Sequence, residues 1–198
     1  GEFVGVNGSI AISSNDSALE SATGSLLNNV GIGTNALKNT SNHWNVAIGQ
    51  NTLQSSAASQ GNTAVGHDSC NVMTNGQDNA AFGRNAGSRI VSGTNNIAFG
   101  ANSLYGGVGT HTGSHNTGIG FNAGANITTG QYNFLGGYQA GKAMTTGATN
   151  TLLGKGAGDA ITTGSNNVII GDYAGTTTLA DTVAIYAGTT ERMKIDST

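Results

Sequence analysis

NIAFG, residues Asn96 to Gly100, decides the fold once its surroundings are aligned to it. Seventeen residues upstream stands NAAFG from Asn79, and seventeen before that NTAVG from Asn62. Working outward, the chain falls into nine rows that open with Asn and carry Gly four places on. They begin at Asn29, Asn45, Asn62, Asn79, Asn96, Asn116, Asn133, Asn150 and Asn167. The steps between them are 16, 17, 17, 17, 20, 17, 17 and 17. Chance does not hold a register over nine rows, and self-similarity at a fixed period is the mark of a repeat architecture. A tenth, imperfect row, VAIYAG, starts at Val183 without its Asn.

The rows also agree further in. Their eighth place is always small, from Ala36, Thr52 and Ser69 through to Ala174. The ninth place holds Leu37, Leu53, Cys70 and Leu104, where Cys70 reads as a small hydrophobe. The twelfth is apolar in the middle rows (Met73, Ile90, Ile127, Met144, Ile161), and Gly76, Gly93, Gly130, Gly147 and Gly164 mark a second corner at the fifteenth. Each row therefore reads as two short strand-like stretches, each closed by a Gly turn. Seventeen residues are too few for a helix pair, and Gly at every corner weakens any helix. The pattern predicts an all-β fold, a β-solenoid (β-helix or β-roll) of ~17-residue coils with two or three short strands per coil. Coils ~4.8 Å apart make nine of them rise roughly 40 Å. Residues 29–182 are expected to form the nine coils, 1–28 an N-terminal β connector, and 183–198 a terminal partial coil leading to a C-terminal region.

Composition agrees. Gly numbers 33 of 198 residues, Pro is absent and 9% of residues are charged. Pro cannot donate a backbone N–H to the next rung, which explains its absence. Stacked Asn side chains can hydrogen-bond along the axis as a ladder, and Gly corners supply positive φ or let backbones pass closely. With 36% apolar residues the chain cannot bury the wide core of an ordinary globular enzyme. A net charge of −3 lacks the basic surface that neutralises phosphates, so nucleic acid is not an expected partner. Apolar runs of a few residues exclude a helical membrane span, and the opening residues do not read as a signal peptide.

A rung offers three or four inward places, many of them Ala or Gly. Burying an Ile-sized side chain stabilises by ~2 kcal/mol, while ordering each residue costs ~1.5 kcal/mol. A single slender solenoid is therefore marginal, and it leaves second-column residues such as Val30, Val46, Ile97, Phe134 and Val168 outside. Packing copies along a common axis covers them.

Stacked rows of the form NxAIGxxAG resemble the shafts and tips of bacteriophage tail fibres and tailspikes, and the heads of trimeric autotransporter adhesins, whose repeat is shorter. ERMKIDST, Glu191 to Thr198, is similar to the segment that leads into the C-terminal intramolecular chaperone of phage fibre proteins. The resemblance covers roughly Asn29 to Thr198. It implies a homotrimer in a virion tail, outside the cell, joined to other tail proteins and adhering to bacterial surface polysaccharide. With no chaperone sequence present, it implies a matured or truncated piece. The alternatives are a trimeric bacterial adhesin head on a cell surface, or a glycan-degrading tailspike acting as hydrolase or lyase.

No motif points to a cofactor. GIGTNA, Gly31 to Ala36, matches a dinucleotide fingerprint but merely instances the repeat, and GGYQAGKA, Gly136 to Ala143, offers Ala143 where Mg²⁺ ligation needs Ser or Thr. Ser69 adjoins His67 and Asp68, yet neighbours in a strand face opposite ways, so no triad is expected. Paired carboxylates would serve glycan hydrolysis, and only Asp159 and Asp172 fall in adjacent rows. No enzyme activity, cofactor or metal is expected.

Column six varies most, and within it Phe121 and Tyr138 are neighbours across rungs. The 20-residue row must bulge within Tyr105–His115, where Tyr105 can stack on a sugar and His111 and His115 can hydrogen-bond. His111 and His115 form a weak HxxxH metal pattern. The 16-residue row ends in His43 and Trp44, the only Trp. The candidate ligand-binding residues are thus Trp44, Tyr105, His111, His115, Phe121 and Tyr138.

Overall fold

The computed structural model describes residues 2–6, 9–13, 28–107 and 109–196, with the backbone alone for 2–6 and 13. No helix occurs among these residues. The described residues form a stack of coils carrying one sheet of thirteen strands in sequence order. Two strands come first, β1 (Glu2–Val6) and β2 (Ser9–Ser13). Then each coil contributes three residues: β3 (Val30–Ile32), β4 (Val46–Ile48), β5 (Thr63–Val65), β6 (Ala80–Phe82), β7 (Ile97–Phe99), β8 (Thr117–Ile119), β9 (Phe134–Gly136), β10 (Thr151–Leu153) and β11 (Val168–Ile170). β12 (Val183–Ala187) and β13 (Thr190–Ile195) close the series. Pairing is parallel from β2 to β12 and antiparallel at both ends.

Register is one repeat per coil throughout. Ala81 lies opposite Ala98, and Ala98 opposite Gly118 although twenty residues separate them. The solenoid thus absorbs the long row without a slip, which in a two-faced strand would have turned every side chain over.

The expectation of two or three strands per coil is corrected to one. From the fifth place on the chain turns too often to stay extended. Gly66, Asp68 and Cys70 take φ values of 135°, 56° and 48°, and Asp78, just before the next opening Asn, takes 54°. The second stretch is a set of turns, touched only by the isolated bridges Gln60↔Gln77 and Ile90↔His111. Coil-to-coil hydrogen bonds persist there, as in Cys70 N–H to Ala86 O at 3.0 Å and Leu104 N–H to Ala123 O at 2.9 Å. A rung can be hydrogen-bonded without being a strand.

The Asn column is a ladder. Each backbone N–H from Asn45 to Asn167 donates to the preceding Asn Oδ1, at 2.8 to 3.2 Å. From Asn62 on, Nδ2 reaches the same Oδ1, and it also donates to the second-corner carbonyl of its own coil, as Asn116 does to Gly130 O at 2.8 Å. Every one of these Asn residues is buried. The geometry explains the fifteenth-place Gly as well: its φ is ordinary, and a Cβ on Gly76 would lie 2.8 Å from Met73 Sδ and 3.0 Å from Gly93 O.

The core is narrow and its volume alternates between two columns. Where the ninth place is Leu (Leu37, Leu53, Leu104), the third is Gly31, Ala47 or Ala98. Where the third is Leu135, Leu152 or Ile169, the ninth is Gly141, Gly158 or Gly175. A Cβ on Gly158 would stand 2.6 Å from Leu152 Cδ1. In these six rows one large residue is matched by one small one, as close packing demands, while the rows opening at Asn79 and Asn116 place small residues at both positions (Ala81 and Gly87, Gly118 and Gly124).

Candidate functional site

Three surfaces flank this core. The first is the outer face of the sheet. Because side chains alternate, the middle residue of each strand points in and its two neighbours point out. The outward set is apolar along most of the stack, with Ile48, Phe82, Ile97, Phe99, Ile119, Phe134, Val168 and Ile170 all exposed. Phe99 is 56% exposed, and its ring lies 5.8 Å from that of Phe82.

The second surface is the corner immediately before the Asn ladder. Residues there take φ near +60°, among them Trp44, His115 and Tyr132. That conformation turns the side chain out of the coil. Trp44 and Tyr132 are each 59% exposed. His115 and Tyr132 stack, with ring centres 4.9 Å apart and planes 4° from parallel. Trp44 lies four coils away in the same column, about 19 Å along the axis, beside His43 at 5.9 Å. Phe121 and Tyr138 stack across rungs at 5.6 Å as their shared column predicts. Tyr173 and Tyr186 form a further pair at 4.6 Å.

The third is the corner at places seven to eleven. Its seventh-place residues make a second amide ladder: Asn35 Nδ2 to Asn51 Oδ1 at 2.9 Å, Asn51 Nδ2 to Asp68 Oδ1 at 3.0 Å, and Asn85 Nδ2 to Asn102 Oδ1 at 3.1 Å. Tyr105 is half-buried here, with the Arg89 guanidinium 5.6 Å from its ring centre. Arg89 Nη1 donates to Gly107 O at 2.9 Å.

His111 does not belong with these groups, and its expected place on a bulge is corrected. It is 0% exposed and pairs with Ile90 in the core column. Gly106 and Gly107 still donate to Ala125 O of the next coil, at 3.0 and 2.8 Å, so the extra residues of the long row fall between Gly107 and His111, where Val108 lies outside the described set. Neither ring nitrogen of His111 has a hydrogen-bond partner of normal geometry. Burial pulls its pKa down to about 4, weakly opposed by the Leu104 backbone carbonyl. His111 and His115 therefore face different environments and do not form a pair.

Tyr132 and the second amide ladder were missed in the sequence. The ladder's signal was present, since Asn or Asp fills the seventh place in the first six rows, whereas the place before each opening Asn holds no recurring residue type. Ser69 is buried and donates to Ala86 O at 3.2 Å, whereas exposed His67 pairs with Asp68 at 2.9 Å. Cys70 is buried, and desolvation pushes its thiol up to about 12 against a hydrogen bond from Ser69. Among the described residues no three His, Cys, Asp or Glu side chains converge on a metal-sized site. No family model, curated protein or solved structure matches the chain.

Proposed function

We propose that the chain is a structural and receptor-binding segment of a bacteriophage tail fibre or spike, which works as a homotrimer and adheres to bacterial surface polysaccharide. The observation that carries this reading is the outward apolar column of the sheet, running the length of a scaffold that also holds exposed stacked aromatics. A soluble monomer rarely exposes so continuous an apolar face. Three copies packed along a common axis cover it, while the amide and aromatic corners stay in water. Aromatic faces and amides are the groups that recognise sugars, through stacking on C–H faces and hydrogen bonds to hydroxyls. Three copies present three identical weak sites, so avidity exceeds single-site affinity by ~10²–10⁴ without new contacts. Such a segment lies in the virion tail, outside the cell, joined to other tail proteins.

Light scattering on the native particle tests the assembly: the expected mass is three times the 19.7 kDa of the chain, and a monomer overturns it. Binding to isolated host polysaccharide without release of reducing ends tests adhesion. Release of reducing ends would replace it with glycan cleavage.

A further inference from the structure

Beside the long row, the amide corner opens into a cleft of about 380 Å³ lined by Asn85, Asn102, Tyr105, Asn122, Asn126 and Lys142 together with Ala125. The amide ladder runs out at this point. Asn102 Oδ1 accepts from Asn85, but the Asn102 Nδ2 group and the whole side-chain amides of Asn122 and Asn126 have no hydrogen-bond partner among the described residues. All three Asn side chains are half-buried, so their donors and acceptors border the cleft with little competing structure. The Tyr105 ring forms an apolar wall held by Arg89 on one side. Lys142 is exposed and makes no ion pair among the described residues, and no carboxylate lines the cleft.

We infer that this cleft is a subsite for one sugar ring bearing a carboxylate, a uronate. The inference rests on the reading of the chain as a polysaccharide binder and specifies its sugar. Each part of the cleft has a matching part of the ligand. An amide offers both a donor and an acceptor, as does a sugar hydroxyl, so neighbouring amides on successive rungs suit two non-adjacent hydroxyls of one ring. Tyr105 receives the C–H face of the ring. Lys142, the cation with no partner, takes the carboxylate in a charge-assisted hydrogen bond. The spacing is set by the solenoid: Asn102 and Asn122 sit one rung apart, about 4.8 Å, close to the separation of hydroxyls across a pyranose.

The test is titration of the full chain with sodium glucuronate and, separately, with glucose, read from the side-chain amide NMR signals of Asn102, Asn122 and Asn126. Glucuronate is expected to shift all three and to bind more tightly than glucose. Lys142→Gln reduces that preference by about threefold to fivefold, the effect of one exposed ion pair. Tyr105→Ala abolishes the shifts with both sugars. Unchanged mass and circular dichroism establish that the variants are folded. Equal binding of the two sugars, shifts that survive Tyr105→Ala, or no shifts at all would each overturn the subsite. Host polysaccharide binding that both variants retain would remove the cleft and leave adhesion standing. A wild-type chain that binds no polysaccharide would remove both.

Discussion

His111→Leu is expected to stabilise the protein, and to stabilise it far more in acid than at neutral pH. His111 occupies the core column beside Ile90, with both ring nitrogens unpaired. Leu offers similar volume and removes two polar atoms that burial has stripped of water, a gain of about 1–3 kcal/mol at neutral pH. The acid effect follows from linkage. In the unfolded chain the imidazole titrates at its ordinary 6.5, and in the folded one at about 4. Between those values the unfolded chain takes up a proton that the folded chain refuses, so stability is complete above pH 6.5 and falls as pH drops toward 4. At about 1.4 kcal/mol per pH unit, the loss across that window is about 3 kcal/mol, and below it the loss is constant. Urea unfolding of both proteins at pH 7.5 and pH 4, at one protein concentration, measures it. All other titrations cancel in the comparison, so the stability gap between variant and wild type should widen by that amount. Parallel pH profiles would refute a buried neutral imidazole.

Four further outcomes follow from the same packing. Asn96→Ala leaves the Asn116 N–H and the Gly113 carbonyl without partners, which costs at least about 2 kcal/mol in chemical denaturation. Gly158→Ala sets a Cβ 2.6 Å from Leu152 Cδ1 at φ +62° and costs about 1–3 kcal/mol in the same assay. If the sheet face is covered by further copies as proposed, Phe99→Lys there leaves 19.7 kDa chains by light scattering, with circular dichroism unchanged. Cys70, buried and with its thiol near 12, stays unmodified by iodoacetamide at pH 8 until urea unfolds the chain, when it reacts at once.

The period, the ladder of row-opening Asn residues and the Gly corners were legible because each is a column property: the same side chain recurs where the same hydrogen bond or close approach recurs. What escaped reading did so for definite reasons. The second stretch of each row looked strand-like because its residues are small or apolar, but Asp68 and Cys70 there sit at positive φ, which the residue types do not announce. His111 could not be placed by counting. Fifteen residues separate it from Asn96 where eleven separate Ile90 from Asn79, and five lead on to Asn116 where six lead from Ile90 to Asn96. Neither frame puts it in the twelfth column, and only the pairing of His111 with Ile90 shows where it lies. At the candidate sites, Phe121 and Tyr138 were found because one step of the period joins them. Tyr132 was missed because its column also holds Gly61, Asp78, Asn95 and Thr149, residues whose common property is a positive φ and not a side-chain type. The cleft depends on the amides of Asn122 and Asn126 and the Nδ2 group of Asn102 lying unpaired among the described residues, a fact that belongs to geometry alone.

A crystal structure of the assembled protein, refined well enough to place the Asn side chains, puts the account at greatest risk. It should show the N–H of every row-opening Asn from Asn45 to Asn167 within 2.8 to 3.2 Å of the Oδ1 of the Asn that opens the row before, unbroken across the 16- and 20-residue rows. A ladder that breaks or slips at either irregular row, or a helical segment in its place, would contradict it.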